Sequence, residues 1–573
     1  MKYKKQRSIT KINNLVMSKK LYLPLLMALL VVFTGCKKMG PLSADYFTVN
    51  PNPLEVVGGE VAATITGKFP AKYFNKKAIV TVTPYLVYEG GETAAAPFVY
   101  QGEKVEGNNQ TISYKMGGNI TMKTSFKYIP AMRKSDLYLA FQVKKGSKTY
   151  DLPRVKIAEG VISTAELCGI STPSIAPDKF QRIIKENYKA NILFLIQQAN
   201  LRASELNSQE MKDLQAELVK ANEAENKEIV GINISSYASP DGGLDLNTKL
   251  AEKREDNTTE YLEKQLQKDN IDAEIEGEFT PEDWAGFQEL VEKSNIQDKE
   301  LILRVLSMYK DPEEREREIK NMSVTFKVLA EEILPKLRAS RITATINLIG
   351  KSDEEISQLA SSNPKELNVE ELLYAATLVD TDAEKLAIYN KAVEIYPNDF
   401  RAYNNIGAIN LAQGKIADAT SWFQKANRLN PSAPETQLNM GLVALAKNDV
   451  AAAEQAFGRA AGAPELGAAM GSLYAKKGEY TKAVNSFSNA NTNNAALAQI
   501  LAKDYNKAKT TLAAIETPDA TTAYLKAVLA ARTNNEAGVL SNLKEAIKLD
   551  PSMASMAATD LEFAKFDISS VAK

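Results

Sequence analysis

Apolar residues recur along this chain with several different rhythms, and the changes of rhythm divide it into segments. Leu21 to Phe33 reads LYLPLLMALLVVF, an unbroken apolar run preceded by Lys19 and Lys20. From residue 45 to 160 the rhythm is two. Stretches such as VAATITGKF, KAIVTVTPYLVY, NITMKTSFKYI, DLYLAFQV and KTYDLPRVKI are rich in β-branched and aromatic residues, with Gly-Gly and Gly-Ser turns between them. Strands this short and this closely spaced predict an antiparallel β-sandwich.

After a loop holding Cys168, Pro173 and Pro177 the pattern changes again. Residues 185–350 alternate strand-like and helix-like runs. ANILFLI is followed by a polar helix from about Ser208 to Ala221, and EIVGINISSYA by a long helix from Leu246 to Gln265. Leu250, Tyr261 and Leu262 are among the apolar positions of that helix. IDAEIEGEF and SRITATINLI read as two further strands, separated by a helical insertion over 281–337. The order β-α-β-α-β-(insert)-β predicts an α+β domain, a sheet covered by helices. From 365 to 552 a period of 34 takes over: Gly407 recurs as Gly441, Ala419 as Ala453, Phe423 as Phe457 and Ala426 as Ala460. That period predicts an all-α superhelix of stacked helix pairs, with a tail over 553–573. The chain is therefore expected to be multidomain.

Composition then removes classes of chemistry. The chain has 573 residues and no histidine, which excludes His-activated nucleophiles, His metal ligands and the usual near-neutral general base. Two cysteines, Cys36 and Cys168, cannot build a Cys-based zinc cage. With 70 Lys+Arg against 71 Asp+Glu, no global field attracts nucleic acid. No metal, no cofactor and no catalytic residue is expected, and the protein is read as a non-enzyme. A hydrolase or a surface glycan-binding protein is also disfavoured by the two tryptophans, Trp284 and Trp422, which stand far apart in sequence.

The apolar run is too short for a bilayer core of about 30 Å, which needs roughly 20 residues. Basic residues, a short apolar core and small residues before a cleavage point make a signal peptide over residues 1–36. Phe33-Thr34-Gly35-Cys36 resembles the lipobox of bacterial lipoproteins. The resemblance implies acylation of the Cys36 thiol, and the following Lys37 and Lys38 favour the outer membrane, with the periplasmic face favoured over the cell surface.

SYASPDGGLDLNTKLAEKREDNTTEYL resembles a divergent OmpA-C-type peptidoglycan-binding motif, and LRASRITATI resembles the entry to that family's last strand. Gly242, Asn247, Leu250 and Arg254 fall on the family's pattern, whereas its Asp falls on Ser239. The resemblance implies a small pocket for cell-wall peptide, with Asp241, Asn247 and Arg254 as the candidate ligand-binding residues. Asp241 can replace the missing acid only if the loop around Pro240 is reshaped. Otherwise Arg254 is left with a structural contact on its helix.

The 34-residue period resembles the tetratricopeptide repeat. A third well-formed unit carries Gly471, Tyr474, Ala483, Phe487 and Ala490, and five repeats are counted in all. The family implies a groove for peptides or partner subunits. Asn404, Asn405, Asn439 and Arg459 lie on repeat helices and are read as solvated positions. The combined expectation is a lipid-anchored outer-membrane scaffold that binds envelope proteins through the repeat groove; the alternative is a peptidoglycan tether. If Cys36 carries the anchor, metabolic labelling with a radioactive fatty acid marks the native protein, and Cys36→Ser removes the label and releases the chain from membranes.

Overall fold

The computed structural model describes residues 39–572, so the Leu21–Phe33 run and Cys36 lie outside the described residues. The described chain falls into two compact units. One takes the residues up to Ser174, Gly414–Ile416 and the residues from Pro431 onward; the other takes Ile175–Gln413 and Ala417–Asn430. No helix among the described residues is long and apolar enough to cross a membrane.

The first unit begins β-rich. Its strands are β1 (Phe47–Asn50), β2 (Val56–Val57), β3 (Glu60–Phe69), β4 (Ala78–Tyr88), β5 (Gly91–Ala94), β6 (Phe98–Gly102), β7 (Gln110–Ile112), β8 (Gly118–Lys127), β9 (Ser135–Lys145) and β10 (Lys148–Gly160). β3 pairs antiparallel with β1, β2 and β8. The second sheet runs β10-β9-β4-β6-β7, with β5 on β4. Alternation decides which side chains face inward. Val80, Val82 and Leu86 of β4 join Val61, Ile65 and Phe69 of β3 and Leu137, Leu139 and Phe141 of β9 in one buried core.

The second unit holds the mixed segment. Its elements are β11 (Ile183–Leu193), α1 (Ala203–Leu206), α2 (Gln209–Glu223), β12 (Lys227–Tyr237), α3 (Leu244–Lys268), β13 (Ile275–Thr280), α4 (Trp284–Lys293), α5 (Lys299–Met308), α6 (Pro312–Asn321), α7 (Ser323–Glu332), α8 (Leu334–Leu337), β14 (Ala339–Ile349) and α9 (Asp353–Ser362). The sheet order is β11-β14-β12-β13, with β12 and β13 parallel and the other pairs antiparallel. Ser208 caps α2 by accepting a hydrogen bond from the Met211 amide. Met211, Leu214 and Leu218 of α2 and Leu262 and Leu266 of α3 cover Ile192, Ile232, Ile234, Ile342 and Ile346 of the sheet. The first strand begins at Ile183, seven residues before the apolar run that signals it, because the first half of this edge strand buries no side chain. The insertion α4–α8 has its own core of Phe287, Val291, Ile302, Leu306, Leu329 and Leu337.

Helix pairs fill the rest. α10 (Val369–Ala375) and α11 (Asp382–Ile395), then α12 (Phe400–Ala412) and α13 (Ile416–Leu429), belong chiefly to the second unit. The first unit resumes with α14 (Pro434–Ala446) and α15 (Val450–Phe457), α16 (Leu466–Lys476) and α17 (Tyr480–Phe487), α18 (Asn493–Leu501) and α19 (Tyr505–Ala513), and α20 (Ala520–Arg532) and α21 (Glu536–Leu549), followed by α22 (Met553–Thr559). The described residues thus hold six helix pairs where the period marks five. The short helices α10 and α18 lack the glycine that flags a repeat.

That glycine has a steric cause. A Cβ placed on Gly407 would lie 2.6 Å from the Phe423 ring, and one on Gly471 would lie 2.7 Å from the Phe487 ring; Gly441 meets Phe457 in the same way. The aromatic ring of the second helix occupies the space a side chain on the first would need. Gly441→Ala is therefore expected to destabilise the protein by about 1–3 kcal/mol through overpacking, outweighing the roughly 1 kcal/mol that Ala gains in helix propensity. Urea unfolding of the two chains measures the difference.

Candidate functional site

The pocket indicated by the sequence forms where β12 ends and α3 begins. Ser239 and Asp241 come from the β12–α3 loop, Asn247 and Arg254 from successive turns of α3, and Arg338 from the residue just before β14. These side chains, with Ile196, Leu246 and Leu250, line a cavity of about 40 Å³. The structure therefore brings Asp241, Asn247 and Arg254 together, although it holds no ligand.

Arg254 is 1 % exposed. Its Nε donates to the Gln198 carbonyl at 3.0 Å, Nη1 to the Tyr237 carbonyl at 2.8 Å and Nη2 to the Leu195 carbonyl at 3.3 Å. Its guanidinium also lies over the Phe194 ring, 5.0 Å from the centroid. Three of its five N–H groups thus hold three loop carbonyls in place, and two remain for a guest. Burial and the nearby Arg338 charge push its pKa down to about 10, partly offset by Asp241, so the group stays cationic at neutral pH.

The loop turns a carboxylate into the cavity. The Asp241 amide donates back to the Ser239 carbonyl at 2.8 Å, which turns the Asp241 side chain toward the cavity. Ser239 Oγ donates to the Asp241 carboxylate, Arg338 Nε donates to Ser239 Oγ at 3.0 Å, and Arg338 Nη2 donates to Asp241 Oδ2 at 3.0 Å. Asn247 Nδ2 pins the loop through the Ser239 and Gly242 carbonyls. Two guanidiniums therefore face one carboxylate, and the site carries an excess positive charge suited to an anion. Arg338 is the residue the sequence reasoning missed. Its signal was present in LRASRITATI, but the strand pattern does not distinguish an arginine aimed into the pocket from one aimed away. Lys320 of α6 donates to the Asp241 carbonyl at 3.1 Å, so the insertion touches the same loop.

The repeat helices carry a second arrangement of polar groups. In the second unit the Ala176 amide donates to Asn405 Oδ1 at 2.8 Å, and Asn405 Nδ2 donates to the Ala176 carbonyl at 3.0 Å. Glu370 accepts from the Lys179 amide at 2.6 Å and is itself clamped by Arg401 at 2.7 and 2.8 Å. In the first unit the Ser174 amide donates to Asn439 Oδ1 at 2.8 Å, and Asn439 Nδ2 donates to the Ser174 carbonyl at 2.7 Å. Asn439 stands one 34-residue period after Asn405. Asn404, Asn405 and Asn439 are buried, which corrects their reading as solvated positions; Arg459 is exposed as expected. The reason is tertiary: each face is covered by the segment that connects the β-rich region to the α+β segment.

Residues 388–420 match the tetratricopeptide-repeat family model. Among solved structures, a tetratricopeptide repeat protein from Parabacteroides merdae is 14 % identical with a TM-score of 0.29, the alignment covering 36 % of this chain and 91 % of that one. YrrB, described as a TPR protein with an unusual peptide-binding site, is 20 % identical with a TM-score of 0.21 over 36 % and 99 %. PilW, a type IV pilus biogenesis factor, is 17 % identical with a TM-score of 0.26 over 35 % and 94 %. No curated protein sequence matches the chain. Within the C-terminal helical region, residues 388–420 are therefore a tetratricopeptide repeat, and the helix pairs around them are consistent with it.

Two outcomes follow from this geometry. Arg254→Ala takes the guanidinium donor from three carbonyls, of which Leu195 keeps the Gln198 amide, and is expected to cost about 3 kcal/mol or more, read as a lower urea midpoint. Arg401 holds the Glu370 carboxyl below its ordinary value of 4.5. The stability from this pair is full above pH 4.5 and is lost as pH falls through the lowered pKa. Glu370→Gln is therefore expected to flatten the fall in melting temperature below pH 4.5.

Proposed function

We propose that this protein is a lipid-anchored, non-enzymatic adaptor of the bacterial outer membrane, exposed to the periplasm, that holds other envelope proteins through its repeat helices. One observation carries the reading: the asparagines of successive repeats each bond both the N–H and the C=O of an extended segment. A face equipped to read backbone amides is suited to polypeptide, and it offers nothing to a small substrate. The anchor is the lipid on Cys36. Site-specific photo-crosslinking in cells, with probes on the exposed faces of α15 and α21, is expected to capture envelope proteins. Crosslinks that persist unchanged when the repeat region is unfolded by substitution would remove this reading.

A second role is supported by the pocket. We propose that residues 185–350 are a divergent OmpA-C-like module whose Asp241, Asn247, Arg254 and Arg338 receive an anionic group of peptidoglycan, tethering the membrane to the cell wall. Two cations against one carboxylate support it, and so do the unspent N–H groups of Arg254. Arg338→Gln is the better probe, because Arg254 also holds the loop together. The full chain is expected to sediment with purified sacculi, and Arg338→Gln to lower the bound fraction at least tenfold. If the native chain stays in solution, the module is a scaffold and the adaptor reading stands alone.

A further inference from the structure

The first unit extends the arrangement on which the adaptor reading rests. The first helices of three successive repeats, α14, α16 and α18, each present a polar group to the stretch Cys168–Ser174. Asn494 on α18 accepts from the Gly169 amide at 3.0 Å and donates to the Gly169 carbonyl at 2.9 Å, while also reaching Ser472 Oγ at 3.1 Å. On α16, Ser472 Oγ and the Ala468 carbonyl bond Ser171 Oγ at 2.6 and 2.9 Å. On α14, Asn439 brackets Ser174, whose hydroxyl donates to Glu465 Oε2 at 2.5 Å.

This is recognition of backbone, not of residue identity. Both amide atoms of Gly169 and of Ser174 are read, and those groups are present in any polypeptide. Side chains are read only where they are small: Ser171 and Ser174 are buried, whereas Ile170 is 37 % exposed. The Glu465 carboxylate at one end disfavours an acidic guest. Cys168 enters the apolar cluster of Ala475, Ala483, Phe487 and Leu497, where burial pushes its thiol up to about 11.

We propose that Gly169–Ser174 is the resident intramolecular ligand of a polypeptide-binding face on α14, α16 and α18, and that a partner of this face must present an extended, uncharged segment with small residues at the two positions, three apart, that Ser171 and Ser174 fill. The proposal rests on the adaptor reading and names the class of peptide such an adaptor takes. Because the segment is covalently attached, its effective concentration is on the order of millimolar. A partner that binds more weakly than this finds the face closed.

The test uses the full chain with Cys36→Ser, so that Cys168 is the single thiol. Gly169→Pro and Ser174→Pro together remove the two amide donors that Asn494 and Asn439 receive. A fluorescent peptide with the sequence of residues 169–174 is expected to bind this released chain at least tenfold more tightly than the unreleased one. Adding Asn439→Ala to the released chain is expected to weaken it at least tenfold. Equal binding to both chains, or none to a released chain whose circular dichroism is unchanged, overturns the proposal without touching the crosslinking result. If the released chain fails to fold, maleimide labelling of Cys168 decides. Asn494→Ala on its own is expected to speed labelling at least tenfold at unchanged helicity, and an unchanged rate rejects the proposal.

Discussion

A connecting segment that runs through a protein interior must find partners for every amide it buries, because an unpaired buried N–H or C=O costs about 1–3 kcal/mol. That constraint governs residues 164–181 of this chain. They have no sheet or long helix of their own, and their backbone is satisfied from outside by Asn494, Asn439, Asn405 and Glu370. An isolated loop of this composition would be solvated and mobile. Here Ser171, Ser174 and Ala176 are buried, and the asparagine ladder is what makes their burial affordable in free energy. The same ladder ties the segment to the repeat helices within each unit.

The pocket at the start of α3 solves a related problem with charge. Three carbonyls converge at the end of β12 and the loop after β11, and a neutral donor could satisfy only some of them. The Arg254 guanidinium satisfies all three and keeps N–H groups in reserve. Its charge is tolerated because Phe194 covers one face and Asp241 lies close by, although Arg338 pushes in the opposite direction. Arg338 is in turn neutralised through Asp241 and Ser239. Ser239 donates to the Asp241 carboxylate and so positions the acid two residues on. Three of the five N–H groups of Arg254 carry this structural role.

Much of the fold could be read from particular residues. Ser208 and the alternation in KAIVTVTPYLVY marked α2 and β4 because capping and period-two burial are local effects. The glycine–phenylalanine pairs marked the repeats because their contact recurs at a fixed separation. The pair α18/α19 carries no such mark and was only partly legible. The exposed half of β11 was not legible at all, since residues 183–189 bury no side chain and so carry no period-two pattern. In the candidate site, Asp241, Asn247 and Arg254 were found from motif spacing, whereas Arg338 arrives from about 85 residues further along the chain, where the strand pattern does not tell an arginine aimed into the pocket from one aimed away.

The sequence by itself determined the alternation of strand and helix, the absence of histidine chemistry, the 34-residue repeat, and Asp241, Asn247 and Arg254 as candidates at the pocket. Each of these depends on residue type or on spacing along one element, and such information is held locally. Only the tertiary structure decided that Asn405, Asn439 and Asn494 are partners of a linker backbone, the first two of them buried, that Arg338 completes the pocket, and that Asp241 turns inward. Those outcomes depend on which distant backbone atoms arrive at a side chain. An asparagine on a helix looks the same in sequence whether it meets water or an amide.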